Sequence, residues 1–254
     1  MKSIRCAALL ASLCVLVAVG ACGWGKRAAD PVSAATAVAE RKGLPPLDTE
    51  PPARPKVVAL GDSITAGLGV FQVEAYPALL HTKLDAEGYK WDVVNAGESG
   101  DTSATALRRV DWVLDANVRV LIIAVGGNDA LRGIPTKAMH DNIAGIIEKA
   151  NAKGIDVLLA GMEAPPNLGE DYQTSFRAVF SALQKEYPGI KLMPFLLDGV
   201  AGDAALNQAD GIHPTVAGQQ IIATHLYDVL KPMVDDIVSR STGGHDLGPA
   251  GPHL

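Results

Sequence analysis

The chain has 254 residues, of which 48% are hydrophobic, so one α/β domain of about 185 residues can bury a full core without disulfides or metal ions. The formal net charge is −6, and the lysines and arginines are scattered along the chain rather than clustered. This distribution excludes the basic surface that a nucleic-acid backbone requires, so we expect no nucleic-acid partner.

The pattern of residues 1–22 predicts an export signal. Lys2 and Arg5 supply positive charge, a mainly apolar run extends from Cys6 to Val19, and the small residues Gly20 and Ala21 follow. A membrane-spanning helix needs about 20 apolar residues, so this shorter run favours cleavage over the alternative of a retained anchor.

The end of this segment, Val19-Gly20-Ala21-Cys22, resembles the bacterial lipobox, in which the cysteine becomes the acylated first residue of the mature protein. We therefore predict lipidation of Cys22, with the membrane as a partner through the lipid anchor. The predicted location is the periplasm or the cell envelope. Ordinary cleavage near Ala21, without lipidation, is the alternative.

All three cysteines lie in this first segment, at Cys6, Cys14 and Cys22. The remaining chain therefore has no disulfide, no cysteine nucleophile and no thiolate metal site. His-x-x-x-His spacings and calcium-binding loops are absent as well, and no nucleotide motif is present. We expect neither a metal nor another cofactor.

Two further segments lack the pattern of a folded domain. Residues 23–55 are rich in proline, alanine and charge, and we interpret them as a tether. The sequence of residues 241–254 predicts a disordered tail. The folded domain is accordingly predicted over residues 56–240.

Within that domain, short apolar runs alternate with segments of helical period. The predicted strands are Lys56–Leu60, Lys90–Asn95, Val118–Val125, Asp156–Met162 and Lys191–Phe195. The predicted helices are Ala75–Glu87, Thr102–Val113, Lys137–Ala152, Tyr172–Tyr187 and Thr215–Val238. Five strands joined by helices predict a five-stranded parallel sheet covered by helices on both faces.

Four polar, glycine-containing motifs lie at the junctions between these elements. Three follow predicted strands: GDSITAG at 61–67, NAGESGDTS at 95–103 and GGNDALRG at 126–133. The fourth, DGIHPT at 210–215, precedes the last helix. Because ligands bind at the carboxyl ends of the strands in an open parallel sheet, we expect these motifs to converge on one site.

The motifs contain the groups that an ester hydrolase needs. A serine hydroxyl becomes nucleophilic when an imidazole takes its proton and a carboxylate holds that imidazole, and Ser63, His213 and Asp210 supply these three groups. Asp210 and His213 are three residues apart, close enough for the carboxylate to reach Nδ1 while Nε2 points toward the serine. Taken singly, Ser63 and Asp210 could also be helix caps.

The five other histidines fit the role of the base less well. Three lie inside predicted helices and two lie in the predicted tail: His81, His140, His225, His245 and His253. Ser99, in GESG, lacks the G-x-S-x-G pattern of a nucleophile elbow, and no such pattern occurs elsewhere in the chain.

These four motifs, in this order, resemble the GDSL/SGNH hydrolase family, and within it the bacterial acyl-CoA thioesterase, lysophospholipase and arylesterase group. The resemblance extends from about residue 56 to residue 233 and implies the flavodoxin-like three-layer sandwich of the SGNH hydrolase fold. It further implies that Ser63 is the nucleophile and that the oxyanion hole consists of the Ser63 and Gly100 N–H groups and the Asn128 side-chain amide. Asp62 and Asp129 are expected to fix their loops.

The resemblance implies hydrolysis of small-molecule or lipid esters and thioesters, with acyl, aryl or lysophospholipid groups, through an acyl-enzyme intermediate. Deacetylation of carbohydrates is one alternative, and an inactive lipoprotein that serves as an envelope binding module is another. Acyl specificity is expected from loops around Glu74–Pro77, Leu131–Pro135 and Pro165–Tyr172.

Overall fold

The structure, a computed structural model, describes residues 53–243. The predicted export signal with Cys22, residues 23–52 of the predicted tether and residues 244–254 of the predicted tail lie outside the described residues.

Five parallel strands form one sheet in the order β2-β1-β3-β4-β5. Their bounds are β1 Lys56–Gly61, β2 Asp92–Gly97, β3 Val118–Ala124, β4 Asp156–Ala160 and β5 Lys191–Met193. This strand order is that of flavodoxin-like folds, and it confirms the fold predicted from the sequence.

Seven helices cover the sheet in the described part of the chain. They are α1 Ser63–Ala66, α2 Tyr76–Ala86, α3 Ser103–Val113, α4 Gly127–Leu131, α5 Thr136–Asn151, α6 Glu170–Glu186 and α7 Val216–Gly243. Helices α2 and α7 pack together on one face, whereas α5 packs between α3 and α6 on the other. Short 3₁₀ turns at Gln72–Glu74 and Pro166–Leu168 complete the connections.

The core lies on both sides of the central strands. Val57–Leu60 of β1 and Val120–Ile123 of β3 are fully buried, because helices cover both faces of a parallel sheet. Strand β2, at one edge, is only partly buried. The continuous apolar runs in β1 and β3, rather than an alternating pattern, are the consequence of this double coverage.

Some boundaries differ from those predicted. Strand β5 ends at Met193 instead of Phe195, because Pro194 has no N–H with which to continue the ladder. Helix α7 continues to Gly243, so residues 241–243, assigned to the tail from sequence, are helical. Its last turns are held by Arg240, which forms ion pairs with Asp236 and with Asp156 at the start of β4.

Within residues 53–243, no helix combines the length and the apolar composition that crossing a bilayer would require.

Candidate active site

The candidate site lies where strands β1, β2 and β3 end. Gly61, the last residue of β1, pairs in register with Gly97 of β2 and Ala124 of β3, so the three strands stop at the same level. The connections from β1 and β3 leave in opposite directions along the sheet, which opens a crevice at this edge. The first three sequence motifs all emerge into it.

Ser63 is the first residue of α1, a single helical turn that begins directly after β1. Asp62 caps this helix, since its Oδ1 accepts a hydrogen bond from the N–H of Ile64 at 3.0 Å. Gly67 ends the helix in the left-handed conformation, with φ of 79°. The turn is therefore defined at both ends by residues of the GDSITAG motif.

Glycines at the strand ends let α1 approach the sheet very closely. A Cβ atom at Gly61 would lie 2.0 Å from Oγ1 of Thr65, and one at Gly97 would lie 2.2 Å from the backbone nitrogen of Ala66. Neither position has room for a side chain. The position of Ser63 above the sheet thus depends on the absence of side chains at both residues.

Buried polar groups fix α1 from the other side. The hydroxyl groups of Thr65 and Tyr76 are 2.8 Å apart, and Asn95 donates to the carbonyl of Thr65 at 2.8 Å. Gln219 of α7 accepts from the Tyr76 N–H at 2.9 Å and donates to the Ile64 carbonyl at 3.1 Å. The sequence interpretation did not anticipate these contacts, because Tyr76 and Gln219 lie outside the four motifs, and Thr65 and Asn95, which lie within them, were assigned no role.

His213 reaches Ser63 from the loop before α7. Its Nε2 lies 2.9 Å from Ser63 Oγ, and its Nδ1 lies 2.6 Å from Asp210 Oδ2. The other carboxylate oxygen of Asp210 accepts from the N–H groups of Ile212 at 2.9 Å and His213 at 3.0 Å. The structure thus brings together the three residues that the sequence nominated for the nucleophile and its acid–base partners.

These hydrogen bonds determine the proton positions. The imidazole of His213, followed by the two backbone N–H groups, holds the pKa of Asp210 far below its ordinary value, so this carboxylate is ionised and accepts. Nδ1 of His213 therefore carries the hydrogen, and Nε2 of the neutral ring accepts from the hydroxyl of Ser63. This is the arrangement in which a serine can lose its proton as it attacks.

Three residues with candidate oxyanion donors line the same cleft as the nucleophile. The backbone N–H groups of Ser63 and Gly100 donate to no acceptor among the described residues, and both residues line the cleft with Asn128. One Nδ2 hydrogen of Asn128 is directed to Asp62 at 3.3 Å, which leaves the other available. The residues nominated for the oxyanion hole are therefore at one site.

The loop that carries Gly100 is anchored from two directions. Gly100 has φ of 88°, a conformation that favours glycine, and its carbonyl accepts from Arg132 at 2.9 Å. Arg109 of α3 binds Asp101 at 2.6 Å. The same guanidinium donates to the carbonyls of Gly61 and Ala96 near the ends of β1 and β2. One arginine thereby ties this loop to both strands.

Asp129 links the GGND motif to α3. Its two oxygens accept from the N–H of Ser103 at 2.8 Å and from the Ser103 hydroxyl at 2.6 Å. Asn142 of α5 donates to the same hydroxyl at 3.0 Å. Asp129 is fully buried, so it stabilises the loop and does not face the substrate.

Asp62 is a buried carboxylate next to the site. Desolvation raises its pKa from 3.8 to about 6, although the Ile64 N–H, the nearby His213 and the Asn128 amide act in the opposite direction. Because its oxygens contact α1 and Asn128, Asp62 connects the nucleophile to the third oxyanion donor.

The site opens into a cleft of about 870 Å³, within the size range of ligand pockets. Its walls are mainly apolar, and the large apolar side chains that line it are Ile64, Leu68, Leu131, Met162, Phe195, Leu197 and Ile212. The loops predicted to set acyl specificity line the cleft only in part. Leu131 and residues 165–167 line the cleft, but residues 74–77 do not, because Tyr76 and Pro77 are buried under α1.

Ser99 also lines the cleft, but the imidazole of His213 is hydrogen-bonded to Ser63 and not to Ser99. Of the other histidines in the described part, His81 and His140 pair with carboxylates on the surface. In residues 53–243, no group of three or more histidine, cysteine, aspartate or glutamate side chains is arranged to hold a metal ion.

Comparison with known proteins agrees with this geometry. Residues 59–221 match the GDSL-like Lipase/Acylhydrolase family. The chain is 40% identical over 189 residues to esterase TesA of Pseudomonas aeruginosa, covering 74% of this chain and 94% of that protein. It is 34% identical over 180 residues to thioesterase 1/protease 1/lysophospholipase L1 of Escherichia coli K12, covering 70% of this chain and 85% of that protein.

A solved structure supports the same conclusion. The psychrotrophic esterase EstA from a Pseudoalteromonas species superposes with a TM-score of 0.67 at 34% identity, covering 71% of this chain and 98% of EstA. The motifs, the hydrogen-bonded Ser63–His213–Asp210 arrangement and these relatives agree, and the chain belongs to the GDSL-like lipase/acylhydrolase family of serine ester hydrolases.

Proposed function

We propose that the protein hydrolyses carboxylic esters and thioesters of apolar acyl or aryl groups through a covalent acyl-enzyme formed on Ser63. The observation that carries this proposal is the 2.9 Å contact between His213 Nε2 and Ser63 Oγ at the wall of an apolar cleft. A nucleophile with its base is thereby adjacent to space that fits an acyl chain.

In the first step, Ser63 Oγ attacks the carbonyl carbon while its proton passes to Nε2 of His213. The carbonyl oxygen becomes an oxyanion, for which Ser63 N–H, Gly100 N–H and the Asn128 amide are the donors. The tetrahedral intermediate then collapses: the bond to the leaving group breaks, and His213 delivers the proton to the departing alcohol or thiol.

In the second step, a water molecule attacks the acyl-enzyme and gives its proton to His213. The acid is released and the proton returns to Ser63, which regenerates the enzyme. Asp210 stays ionised throughout and stabilises the imidazolium in both steps. The related esterase EstA is inhibited by monoethylphosphonate, and a phosphonate has the tetrahedral geometry of the intermediate in this mechanism.

The lining of the cleft favours acyl or aryl groups over sugars. Side chains such as Met162, Phe195 and Leu197 offer contact area but no partners for hydroxyl groups. A sugar hydroxyl placed against these side chains would lose its hydrogen bonds to water, at a cost of roughly 1–3 kcal/mol each. The polar side chains that line the cleft away from the catalytic residues are few: Ser99, Glu163, Asn167 and Asn207. Carbohydrate deacetylation is therefore the weaker alternative, and a binding module without catalysis does not explain the assembled hydrogen-bond relay.

The proposal includes export and attachment to the cell envelope through a lipid on Cys22. Its support is the pattern of residues 1–22, namely positive charge, an apolar run and a lipobox-like end.

Replacement of Ser63 by alanine tests the nucleophile. Ser63→Ala is expected to lower kcat by about 10⁴- to 10⁶-fold and to abolish labelling by a fluorophosphonate. Ser99→Ala is the matched control, because Ser99 lines the same cleft. It should retain activity and labelling. A Ser63→Ala protein with a tenth of the wild-type activity would remove Ser63 from this role.

A substrate series tests the specificity. Nitrophenyl esters and acyl-coenzyme A thioesters of increasing chain length should show kcat/KM rising from acetyl to medium-length acyl groups, because each added methylene contributes about 0.8 kcal/mol when it is buried. Release of acetate from acetylated xylan without activity on octanoyl esters would instead support the deacetylase alternative.

A further inference from the structure

Five exposed apolar side chains lie at or beside the mouth of the cleft. We call them the apolar rim: Leu68, Phe71, Val73, Leu131 and Ile212. Leu68 and Ile212, on two loops, and Leu131, the last residue of α4, line the cleft and also face solvent, so they mark its mouth. Phe71 and Val73 lie three and five residues beyond Leu68 and are 77% and 75% exposed without lining the cleft.

The exposure of Phe71 and Val73 is fixed by the backbone of their loop. The N–H of Phe71 donates to the Glu74 carboxylate at 2.9 Å, and the N–H of Glu74 donates to the Phe71 carbonyl at 2.8 Å, which closes a tight turn. Gln208 donates to the Leu68 carbonyl at 2.7 Å. These bonds hold the two side chains outward, and turning them into the core would break the turn.

The same bonds connect the loop to the catalytic residues. The N–H of Gln208 donates to the carbonyl of His213 at 2.8 Å, so the loop from Leu68 packs against the segment that carries His213 and Ile212. A surface that binds Phe71 and Val73 therefore lies beside the opening to Ser63.

The charges around the rim favour a neutral partner. Residues 67–73, GLGVFQV, contain no charged side chain. Glu74 is engaged by the Phe71 N–H, Asp210 by His213, and Arg132 by the Gly100 carbonyl. The rim thus offers apolar area without the cluster of lysines and arginines that recognises anionic lipid.

We propose that the apolar rim docks the cleft on the surface of a lipid aggregate made of neutral or zwitterionic amphiphiles. Insertion of Phe71 and Val73 among the acyl chains buries side chains that water otherwise surrounds, as in other interfacial anchors. An acylated amphiphile then enters the cleft from the aggregate without crossing water. This substrate route rests on the proposed ester hydrolysis, whereas the docking itself requires no catalysis.

The test compares two surface variants, both of which also carry Cys22→Ser so that no acyl group can attach there. The first is Phe71→Ser/Val73→Ser. The control is Trp112→Ser, which removes another exposed apolar side chain, 88% accessible, near the end of α3. That end is remote from the cleft, since Asp115 three residues later pairs with Lys56 at the start of β1.

Two measurements on the full chain separate docking from catalysis. Sedimentation with phosphatidylcholine vesicles should show binding at least about tenfold weaker for Phe71→Ser/Val73→Ser than for the parent, because burial of a Phe or Val side chain accounts for tenfold or more in a partition constant. Trp112→Ser should bind like the parent. On a short nitrophenyl ester below its critical micelle concentration, all three proteins should have the same kcat/KM within twofold, whereas micellar substrate should be hydrolysed more slowly by the double variant.

Three results would overturn the proposal. The first is vesicle binding by the double variant that equals binding by the parent. The second is an equal loss of binding in Trp112→Ser, which would show that position on the surface is irrelevant. The third is a parent that is a dimer in analytical ultracentrifugation while the double variant is a monomer, which would assign the rim to contact with a second copy of the chain. If none of the three proteins hydrolysed the ester while vesicle binding followed the expected pattern, the proposed function would be refuted and the docking proposal would stand.

Discussion

Asn128 illustrates how a single side chain serves two neighbours. One hydrogen of its amide is directed to Asp62 at 3.3 Å, and the other is available to the cleft. If that second hydrogen binds an oxygen only when negative charge develops on it, the transition state gains far more than the bound ester. Asn128→Ala is therefore expected to lower kcat by about 10²- to 10³-fold with KM nearly unchanged.

A structural role for Asn128 would give a different result. If Asn128 only shaped the turn at the start of α4, the substitution would lower the melting temperature and leave the kcat of the folded fraction intact. Asn167→Ala is a suitable control, because Asn167 lines another part of the cleft. Measurement of kcat and thermal unfolding on the same preparations distinguishes the two roles.

Asp62 links the protonation of a buried group to stability. Because burial raises its pKa from 3.8 to about 6, the folded protein binds this proton more tightly than the unfolded chain does. Between these pH values the folded state holds more protons, so the contribution of Asp62 to the free energy of unfolding falls as the pH rises. The pKa difference of about two units corresponds to a loss of roughly 3 kcal/mol.

Asp62→Asn tests this linkage, since asparagine also caps helices but does not titrate. We expect the free energy of unfolding of the wild type, minus that of the variant, to decrease by roughly 3 kcal/mol between about pH 3 and pH 7. A difference in stability between the two proteins that is the same at every pH does not affect this pH dependence. Asp198→Asn, at an exposed position, controls for the loss of one carboxylate. Parallel stability curves for wild type and Asp62→Asn would contradict the linkage.

At the scale of secondary structure, the sequence predicted the five strands and the five long helices but not the two shortest helices. All five strands and the five long helices appear near their predicted positions, because hydrophobic periodicity persists over many residues. Helices α1 and α4 span only four and five residues, too few to establish a period. The formation of α1 depends on the Asp62 cap and on contacts from distant residues such as Gln219. Helix α4 is held to α3 by the hydrogen bonds of Asp129 to Ser103.

Gly97 offers a test of how tightly α1 is seated. A Cβ atom at this position would lie 2.2 Å from the nitrogen of Ala66, so Gly97→Ala must push α1 away from β2. We expect a loss of about 1–3 kcal/mol in the free energy of unfolding, as for other overpacked sites. Displacement of α1 should also misplace Ser63 and reduce kcat in the folded fraction.

Gly189→Ala is the matched control for this prediction. A Cβ atom at Gly189 would meet no atom within 4 Å, and its backbone does not adopt a positive φ. This variant should be as stable as the wild type or slightly more so, because alanine restricts the unfolded chain. Equal stability and activity of Gly97→Ala and Gly189→Ala would show that α1 shifts without consequence.

Across the whole molecule, the fold joins residues that are far apart in sequence. His213 and Ser63 are 150 residues apart and meet because β1 and the loop before α7 end at the same edge of the sheet. The motif residues of this site could be nominated from the sequence. The cleft wall could not, since the positions of Met162, Phe195 and Ile212 depend on how three loops fold over the sheet.

The predicted anchor concerns the protein beyond its folded domain. If Cys22 is lipidated, the wild type should fractionate with membranes and incorporate labelled palmitate, and Cys22→Ser should not, because the thioether requires that sulfur. Cys14→Ser, a change elsewhere in the predicted export signal, should still be labelled. Both variants should hydrolyse a short soluble ester at the wild-type rate, since every residue of the candidate site lies within residues 53–243. Wild-type protein that begins at Cys22 or Gly23 and carries no acyl mass would refute lipidation and leave ordinary cleavage.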